Sequence, residues 1–168
     1  MYAVIEGIDT AGKSTQLELL KKKFPNAIFT KEPGGTPLGI KLRSMALNGE
    51  AKSEIAEMFL FLADRAEHIE ELIKANQTNF IISDRSMISG IAYANQLEIN
   101  KLIELNLIAT SNNLPSHVIL LELTPAELKF RLSQKENDSI ELRGIDYLIN
   151  IQNRMKETIK RLNINHII

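Results

Sequence analysis

The hydrophobic positions of this chain follow two patterns that alternate along its length. Short, mostly apolar runs, typical of strands buried on both faces, occupy residues 2–5, 27–30, 80–83 and 118–121. Between these runs, apolar residues recur every three or four positions, which is the spacing of one helix face. The helices predicted in this way follow residue 14 and cover residues 38–48, 55–73, 86–96, 98–111, 124–133 and 145–161.

Strands that alternate with helices predict an α/β fold of three layers, a parallel sheet with helices on both faces. No repeat, low-complexity tract or long linker divides the 168 residues, so we expect them to form a single domain. Residues 164–168 resemble the start of a fifth strand. Such a strand usually leads into another helix, so we expect that a C-terminal helix of the natural chain is absent from this sequence.

Composition and charge restrict the classes of function. The chain contains 20 Lys and Arg residues, 21 Asp and Glu residues and no cysteine, which excludes disulfides and thiolate metal sites. A net charge of −1 argues against a partner that is nucleic acid or a membrane surface. No N-terminal stretch resembles a signal peptide, and no apolar run reaches the ~18 residues of a membrane span. We therefore expect a cytoplasmic protein.

The strongest chemical signal lies between the first strand and the next helix. Residues 7–14, GIDTAGKS, match the pattern G-x-x-x-x-G-K-[ST] of a phosphate-binding loop, or P-loop. In this context Lys13 reaches the β- and γ-phosphate oxygens and the Ser14 hydroxyl ligates Mg²⁺. A glycine-rich turn without a ligand is the alternative. The pattern and its context favour a site for nucleotide phosphates formed by Gly7, Ile8, Asp9, Thr10, Ala11, Gly12, Lys13, Ser14 and Thr15.

A second candidate pair, Asp84 and Arg85, follows the strand at residues 80–83. The carboxyl ends of parallel strands share one edge of the sheet, so Asp84 could hold the same Mg²⁺ directly or through water. Arg85 would face the phosphates across the crevice. The alternative is an ion pair on the surface at the end of a strand.

Two more arginines, Arg43 and Arg65, lie on predicted helices where a second phosphate could bind. A planar guanidinium suits this role because it binds two phosphate oxygens at once. Phe61 lies one helical turn before Arg65, and an aromatic face can stack on a nucleobase. Taken singly, each arginine is more typical of a solvated helix face and Phe61 of the core.

Four segments together resemble the thymidylate kinase family. They are EGIDTAGKSTQ (6–16), TKEPGGT (30–36), FLADRAEH (61–68) and SDRS (83–86), in the family's order over almost the whole chain. The resemblance implies a P-loop NTPase fold and Mg²⁺-dependent transfer of the ATP γ-phosphoryl group to dTMP, which gives dTDP for dTTP synthesis. It also implies a cytosolic homodimer that packs helix against helix.

The resemblance also implies a role for each matching residue. Lys13, Arg85 and Asp9 are expected at the catalytic centre, with Asp9 near the metal and the 3′-hydroxyl of the nucleotide sugar. Arg65 and Arg85 are expected to hold the dTMP phosphate. The other expected dTMP contacts are Glu32 holding its loop, Pro33 lining the pocket, Arg43 assisting at the phosphate, Phe61 on thymine, Ser89 near the base edge and Tyr93 against the sugar 2′-position.

Three positions depart from the family pattern. Gly90 and Ala94 stand where many members have polar side chains that hydrogen-bond the base, and Thr10 stands where some members have an arginine. Members without that arginine commonly carry arginines in a lid, which we predict here at about residues 134–143. The cations that this segment and its flanks offer are Arg131, Lys135 and Arg143.

Two other classes of P-loop protein are open at this stage. A kinase for UMP, CMP or a deoxynucleoside would share the P-loop and the lid but not the Glu-Pro-Gly-Gly loop. A P-loop switch protein would need an Asn-Lys-x-Asp run to read guanine, and the sequence contains none.

Overall fold

The computed structural model describes residues 1–134 and 140–168, and its centre is a five-stranded parallel sheet. Its strands follow the order β2-β3-β1-β4-β5, so that β1, whose five residues are all buried, lies in the middle. The four predicted strands and the fifth near the C-terminus are confirmed. Their bounds are β1 (Tyr2–Glu6), β2 (Ile28–Lys31), β3 (Ile81–Asp84), β4 (His117–Leu120) and β5 (His166–Ile167).

The predicted helices are also present, and side-chain caps begin several of them. At the start of the sixth helix, Thr124 accepts a hydrogen bond from the backbone N–H of Glu127, whose carboxylate accepts one from the backbone N–H of Thr124. No helix among the described residues is long and apolar enough to cross a membrane. The helices are α1 (Lys13–Lys23), α2 (Pro37–Leu47), α3 (Glu54–His68), α4 (Met87–Tyr93), α5 (Ile99–Ala109), α6 (Pro125–Leu132) and α7 (Ile145–Leu162).

Helices cover both faces of the sheet because side chains alternate along the buried strands. On one face, Ile5 of β1 packs in a small core with Leu17 of α1. On the other face, Val4 belongs to a larger core that includes Ile88 of α4 and Met155 of α7. The predicted three-layer α/β architecture is therefore confirmed.

The helix predicted over residues 55–73 differs from the structure in two respects. Regular α3 ends at His68, and the chain continues as a π-helical turn, Ile69–Ile73. The apolar residues predicted on one face of this helix are not all buried, because Met58 is buried whereas Ile55 and Phe59 are 39% and 52% exposed. The apolar stripe of α3 thus lies partly in the core and partly on the surface.

The carboxyl ends of β1, β2 and β3 meet at one edge of the sheet. The register pairs Asp84 of β3 with Ile5 of β1 on one side and with Lys31 of β2 on the other. The P-loop, the Glu-Pro-Gly-Gly loop and the Asp84–Arg85 pair follow these strand ends. Three predicted segments that are far apart in sequence are therefore neighbours in the fold.

Candidate active site

Residues 7–14 form the loop between β1 and α1 that the P-loop pattern predicts. Its backbone is left-handed at Thr10, with φ 66°, and at Gly12, with φ 99°. A Cβ added to Gly7 would lie 2.8 Å from the carbonyl oxygen of Leu121, so this position has no room for a side chain. The loop leads into the first turn of α1, where free backbone N–H groups and the helix dipole favour an anion. These features suit a phosphate group.

Lys13, the first residue of α1, folds back over the P-loop. Its Nζ donates hydrogen bonds to the carbonyl oxygens of Gly7 at 2.9 Å and Ile8 at 3.0 Å. Burial, with the nearby positive charge of Arg85, lowers the pKa of Lys13 to about 8. An anion on the loop would favour the charged form of this lysine, because opposite charges raise the pKa of an amine.

Ser14 and Asp84, the two residues predicted to hold a metal, line one cavity of about 440 Å³. Oδ1 of Asp84 is buried and accepts no hydrogen bond from any described residue. A carboxylate oxygen without a donor and a serine hydroxyl suit Mg²⁺, which prefers oxygen ligands. No group of three or more His, Cys, Asp or Glu residues in the described ranges could hold a metal. Phosphate oxygens and water would therefore complete the coordination.

Arg85 lies against the P-loop and adopts a left-handed backbone conformation, with φ 69°. Its Nη2 donates to Oδ1 of Asp9 at 2.5 Å, and its Nη1 donates to the carbonyl oxygen of Gly7 at 3.1 Å and to Oγ of Ser89 at 2.9 Å. The Tyr93 ring centroid lies 5.6 Å from the guanidinium carbon, and the Tyr93 hydroxyl donates to Oδ2 of Asp9 at 3.3 Å. Four predicted site residues therefore form one cluster.

Arg65 belongs to a buried polar network. Its Nε donates to Oε2 of Glu32 at 2.8 Å, and its Nη1 donates to Oδ1 of Asn106 at 2.5 Å. His68 lies with Nδ1 2.8 Å from Oε1 of Glu32 and with Nε2 2.8 Å from Oγ1 of Thr30. Burial alone would raise the pKa of Glu32, but Arg65 and His68 hold it below its usual range. Arg65 and Glu32 are thus coupled to each other within the protein.

Gly90 of α4 leaves room for the Arg65 guanidinium. A Cβ at this position would lie 2.7 Å from Nη2 and 3.0 Å from Nη1 of Arg65. Phe61, one turn before Arg65 on α3, is half-buried. The polar group next to position 90 is therefore an arginine of the neighbouring helix rather than a side chain of α4.

The Glu-Pro-Gly-Gly loop is fastened to α2 and α3. The N–H of Gly34 donates to Oδ1 of buried Asp64 at 2.9 Å, and Nη1 of Arg43 donates to the carbonyl oxygen of Pro33 at 3.0 Å. The Arg43 side chain, which we predicted to assist at a phosphate, therefore contacts a backbone oxygen of the loop.

Two of the three predicted lid cations, Arg131 and Arg143, lie within the described residues. Arg131 of α6 donates to the carbonyl oxygen of Thr10 in the P-loop at 2.9 Å. Arg143 donates to the Tyr147 hydroxyl at 3.1 Å. Lys135 lies outside the described residues. Of the two described cations, Arg131 is the one that contacts the P-loop.

Comparison with known proteins agrees with this geometry. A family model described as thymidylate kinase matches residues 5–168. The chain belongs to the thymidylate kinase family. Proteins named thymidylate kinase from Aliarcobacter butzleri and Wolinella succinogenes are 83% and 57% identical to it. Those alignments cover 99% and 98% of this chain and 88% and 86% of the relatives.

A solved thymidylate kinase structure shows the same fold. The crystal structure from Ehrlichia chaffeensis matches with a TM-score of 0.77 and 23% sequence identity, over 99% of this chain and 90% of that one. The P-loop NTPase fold implied by the four sequence segments is thereby confirmed, and the family model and the two relatives confirm the family.

Within this thymidylate kinase fold, several buried polar residues near the site were not predicted from the sequence, among them Glu6 and Asn106. Glu6 at the end of β1 accepts hydrogen bonds from the hydroxyls of Ser86 at 2.7 Å and Ser89 at 2.5 Å. Asn106 of α5 is the Arg65 partner described above. The available signals were a carboxylate that ends an apolar strand and one amide among the apolar residues of a helix.

Proposed function

We propose that this chain transfers the γ-phosphoryl group of ATP to dTMP and so forms dTDP for dTTP synthesis. The proposal rests on the position of Arg85, which is held against Asp9 and the P-loop. A phosphate-binding cation at that position would lie beside the donor phosphates of a nucleotide on the loop. Family membership supports dTMP as the acceptor. We assign the chain to a single catalytic domain, whose predicted lid, about residues 134–143, lies partly outside the described residues.

ATP would bind on residues 7–15, with its β- and γ-phosphates against the N–H groups of the loop. Lys13 would exchange its two carbonyl acceptors for phosphate oxygens. A cavity of about 660 Å³, lined by Ala11, Arg131 and residues of β4, α6 and α7, adjoins the loop and offers space for the nucleoside. Arg131 borders both the cavity and the P-loop, which supports it as the lid cation.

dTMP would bind on the other side of the P-loop, with its phosphate at Arg85 and its 3′-hydroxyl toward Asp9. Stacking of thymine on Phe61, one turn from Arg65, would bring the base beside Gly90. The proposed acceptor residues are Asp9, Glu32, Pro33, Arg43, Phe61, Arg65, Arg85, Ser89 and Tyr93.

Phosphoryl transfer requires positioning and charge stabilisation more than covalent catalysis. An oxygen of the dTMP phosphate would attack the γ-phosphorus, the bond from that phosphorus to the β–γ bridging oxygen would break, and ADP would leave. Lys13 and Arg85 would stabilise the negative charge that shifts between the nucleotides. Held by Ser14 and Asp84, Mg²⁺ would neutralise charge on the phosphate oxygens.

An ADP-release assay with MgATP and equal concentrations of dTMP, dUMP, UMP, CMP and thymidine tests the proposal. We expect the highest kcat/KM for dTMP. A pocket that loses one methyl contact discriminates by about 1–3 kcal/mol, so dUMP should be roughly 10- to 200-fold poorer. A preference for UMP, CMP or thymidine would refute the proposal.

Affinity for an ATP analogue should fall above pH 8, because Lys13 of the free protein then loses its proton. The charged form predominates below the pKa of about 8. Phosphates favour the charged form of Lys13, so above pH 8 binding of the analogue is accompanied by uptake of a proton. The affinity should therefore fall as the pH rises, by up to about tenfold per pH unit. Calorimetry at pH 7 and pH 9 measures this. Equal affinities at the two values would contradict it, and Lys13→Met should remove the dependence.

Tyr93→Ala should narrow the preference for dUMP over UMP, because the ring is expected to crowd the ribose 2′-hydroxyl. Tyr93→Phe is the matched control: it keeps the ring and removes the hydroxyl that donates to Asp9. We expect the control to retain the sugar preference. If Tyr93 only packs α4 against the core, Tyr93→Ala will lower stability without changing the ratio of the two kcat/KM values.

We further propose that the chain works as a cytoplasmic homodimer. On its surface side, α3 carries apolar residues spaced three or four apart, as one helix face requires. An exposed apolar row of this kind supports packing against a second copy of the chain. Its members are Ile55, Phe59, Ala63 and Ala66.

Phe59→Glu should convert the dimer to a monomer, because it would bury a charge at the centre of the contact. Light scattering coupled to size-exclusion chromatography measures the mass. Leu19→Glu is a matched control, since Leu19 of α1 is similarly exposed, 54% against 52%. A dimeric Phe59→Glu variant would contradict the proposed face.

A further inference from the structure

Glu6 is a carboxylate inside the protein, at the last position of β1 and directly before the P-loop. It is 0% exposed, and its burial raises its pKa. A buried carboxylate costs free energy unless its oxygens accept hydrogen bonds. The donors that meet it come from the start of α4, the helix that follows Arg85.

The first turn of α4 donates to both oxygens of Glu6. Oε1 accepts from the Ser86 hydroxyl at 2.7 Å and from the Ser89 backbone N–H at 3.4 Å, and Oε2 accepts from the Ser89 hydroxyl at 2.5 Å. The Ser86 and Ser89 hydroxyls both donate to Glu6, so each serine points its single hydroxyl proton at the carboxylate.

The Ser89 hydroxyl therefore presents only its lone pairs to other groups. Nη1 of Arg85 donates a hydrogen bond to this hydroxyl oxygen at 2.9 Å. The order of donation runs from Arg85 to Ser89 and from Ser89 to Glu6. Consecutive hydrogen bonds polarise and strengthen one another. Without the carboxylate, the Ser89 proton could turn toward the guanidinium, where it would repel rather than attract.

The two terminal nitrogens of Arg85 have different surroundings. Nη1 contacts Ser89 and the carbonyl oxygen of Gly7, which are parts of the scaffold. Nη2 contacts Asp9, whose side chain is 29% exposed and lies at the crevice. Nη1 is thus anchored, and Nη2 can exchange Asp9 for a phosphate oxygen.

We propose that Glu6 and Ser89 are positioning residues that fix Nη1 of Arg85 and so present Nη2 to the phosphate of the acceptor nucleotide. The inference rests on the proposed function, which assigns Arg85 to that phosphate. It gives Ser89 a role toward the phosphate, through Arg85, in addition to the place near the base edge that the family resemblance implies.

Calorimetric dissociation constants for dTMP and thymidine separate this role from a merely structural one, because thymidine lacks the phosphate. We expect Ser89→Ala and Glu6→Gln each to weaken dTMP binding about tenfold, as for the loss of a hydrogen bond to a charged group. Thymidine binding should change little. Ser86→Ala is the matched control, since it also removes a hydroxyl from Glu6, and we expect it to keep the wild-type ratio of the two constants.

A Ser89→Ala variant that is folded and keeps the wild-type ratio would overturn the proposal, as would equal weakening of both ligands. If Glu6→Gln fails to fold, Ser89→Ala decides alone, because it breaks the same chain of hydrogen bonds and leaves Glu6 bonded to Ser86. Wild-type protein that does not bind dTMP would instead refute the proposed function. The two failures are therefore distinguishable.

Discussion

Lys13→Ala should lower kcat at least ~10²-fold and leave the protein folded. A loss of this size is expected when one electrostatic contact to the transition state is removed. We expect the fold not to need this ammonium group, because burial lowers its pKa and so disfavours its charged form. Its two hydrogen bonds go to backbone oxygens of the P-loop. Turnover at saturating ATP and dTMP, with thermal unfolding as the test of folding, measures both effects.

Lys22→Ala is the matched control, because Lys22 is an exposed lysine on the same helix. We expect this variant to retain wild-type kcat. A folded Lys13→Ala variant with near-wild-type turnover would remove Lys13 from the catalytic centre.

Arg65→Ala should reduce the free energy of unfolding by about 3–5 kcal/mol, the range for removing one partner of a buried ion pair. Arg65 and Glu32 are 5% and 4% exposed, and their 2.8 Å contact joins α3 to the Glu-Pro-Gly-Gly loop. Removal of the guanidinium would leave the Glu32 carboxylate with His68 as its remaining partner. Urea unfolding at pH 7 measures this decrease in the free energy of unfolding. A decrease below ~1 kcal/mol would contradict the predicted role of the ion pair.

A double-mutant cycle separates the ion pair from other contacts of Arg65. Glu32→Gln removes the charge that Arg65→Ala leaves unpaired, so the double variant should lose less than the sum of the two single variants. Because Arg65 is also predicted at the dTMP phosphate, dTMP binding to the folded fraction should be measured beside stability. Additive losses would show that Arg65 and Glu32 are not coupled.

The sequence allowed the fold to be predicted in most of its parts, because its signals were local. Apolar runs such as residues 80–83 and caps such as Thr124-Pro125 depend only on neighbouring residues, and β3 and α6 lie where they predicted. The P-loop was predicted with the same kind of local signal, since its glycines and Lys13 lie within eight consecutive residues, 7–14. The exception was α3, where Ile55 and Phe59 lie on the surface although the spacing of apolar residues groups them with buried Met58.

The contacts inside the site could not be predicted in the same way. Arg65 is separated from Glu32 by 33 positions and from Asn106 by 41, so only the folded chain brings them together. The link from Arg85 through Ser89 to Glu6 likewise spans α4 and β1. Sequence patterns gave the residue types of the site, whereas the direction of each hydrogen bond required the structure.

We propose that the γ-phosphoryl group passes directly from ATP on the P-loop to dTMP. The most direct measurement uses ATP with a radioactive γ-phosphorus and a mixture of dTMP, UMP, CMP and thymidine, followed by separation of the products. We expect the label to appear in dTDP in a one-to-one ratio with the ADP formed, and we expect almost none with Lys13→Ala. Label released as inorganic phosphate, or transferred preferentially to another acceptor, would contradict the account.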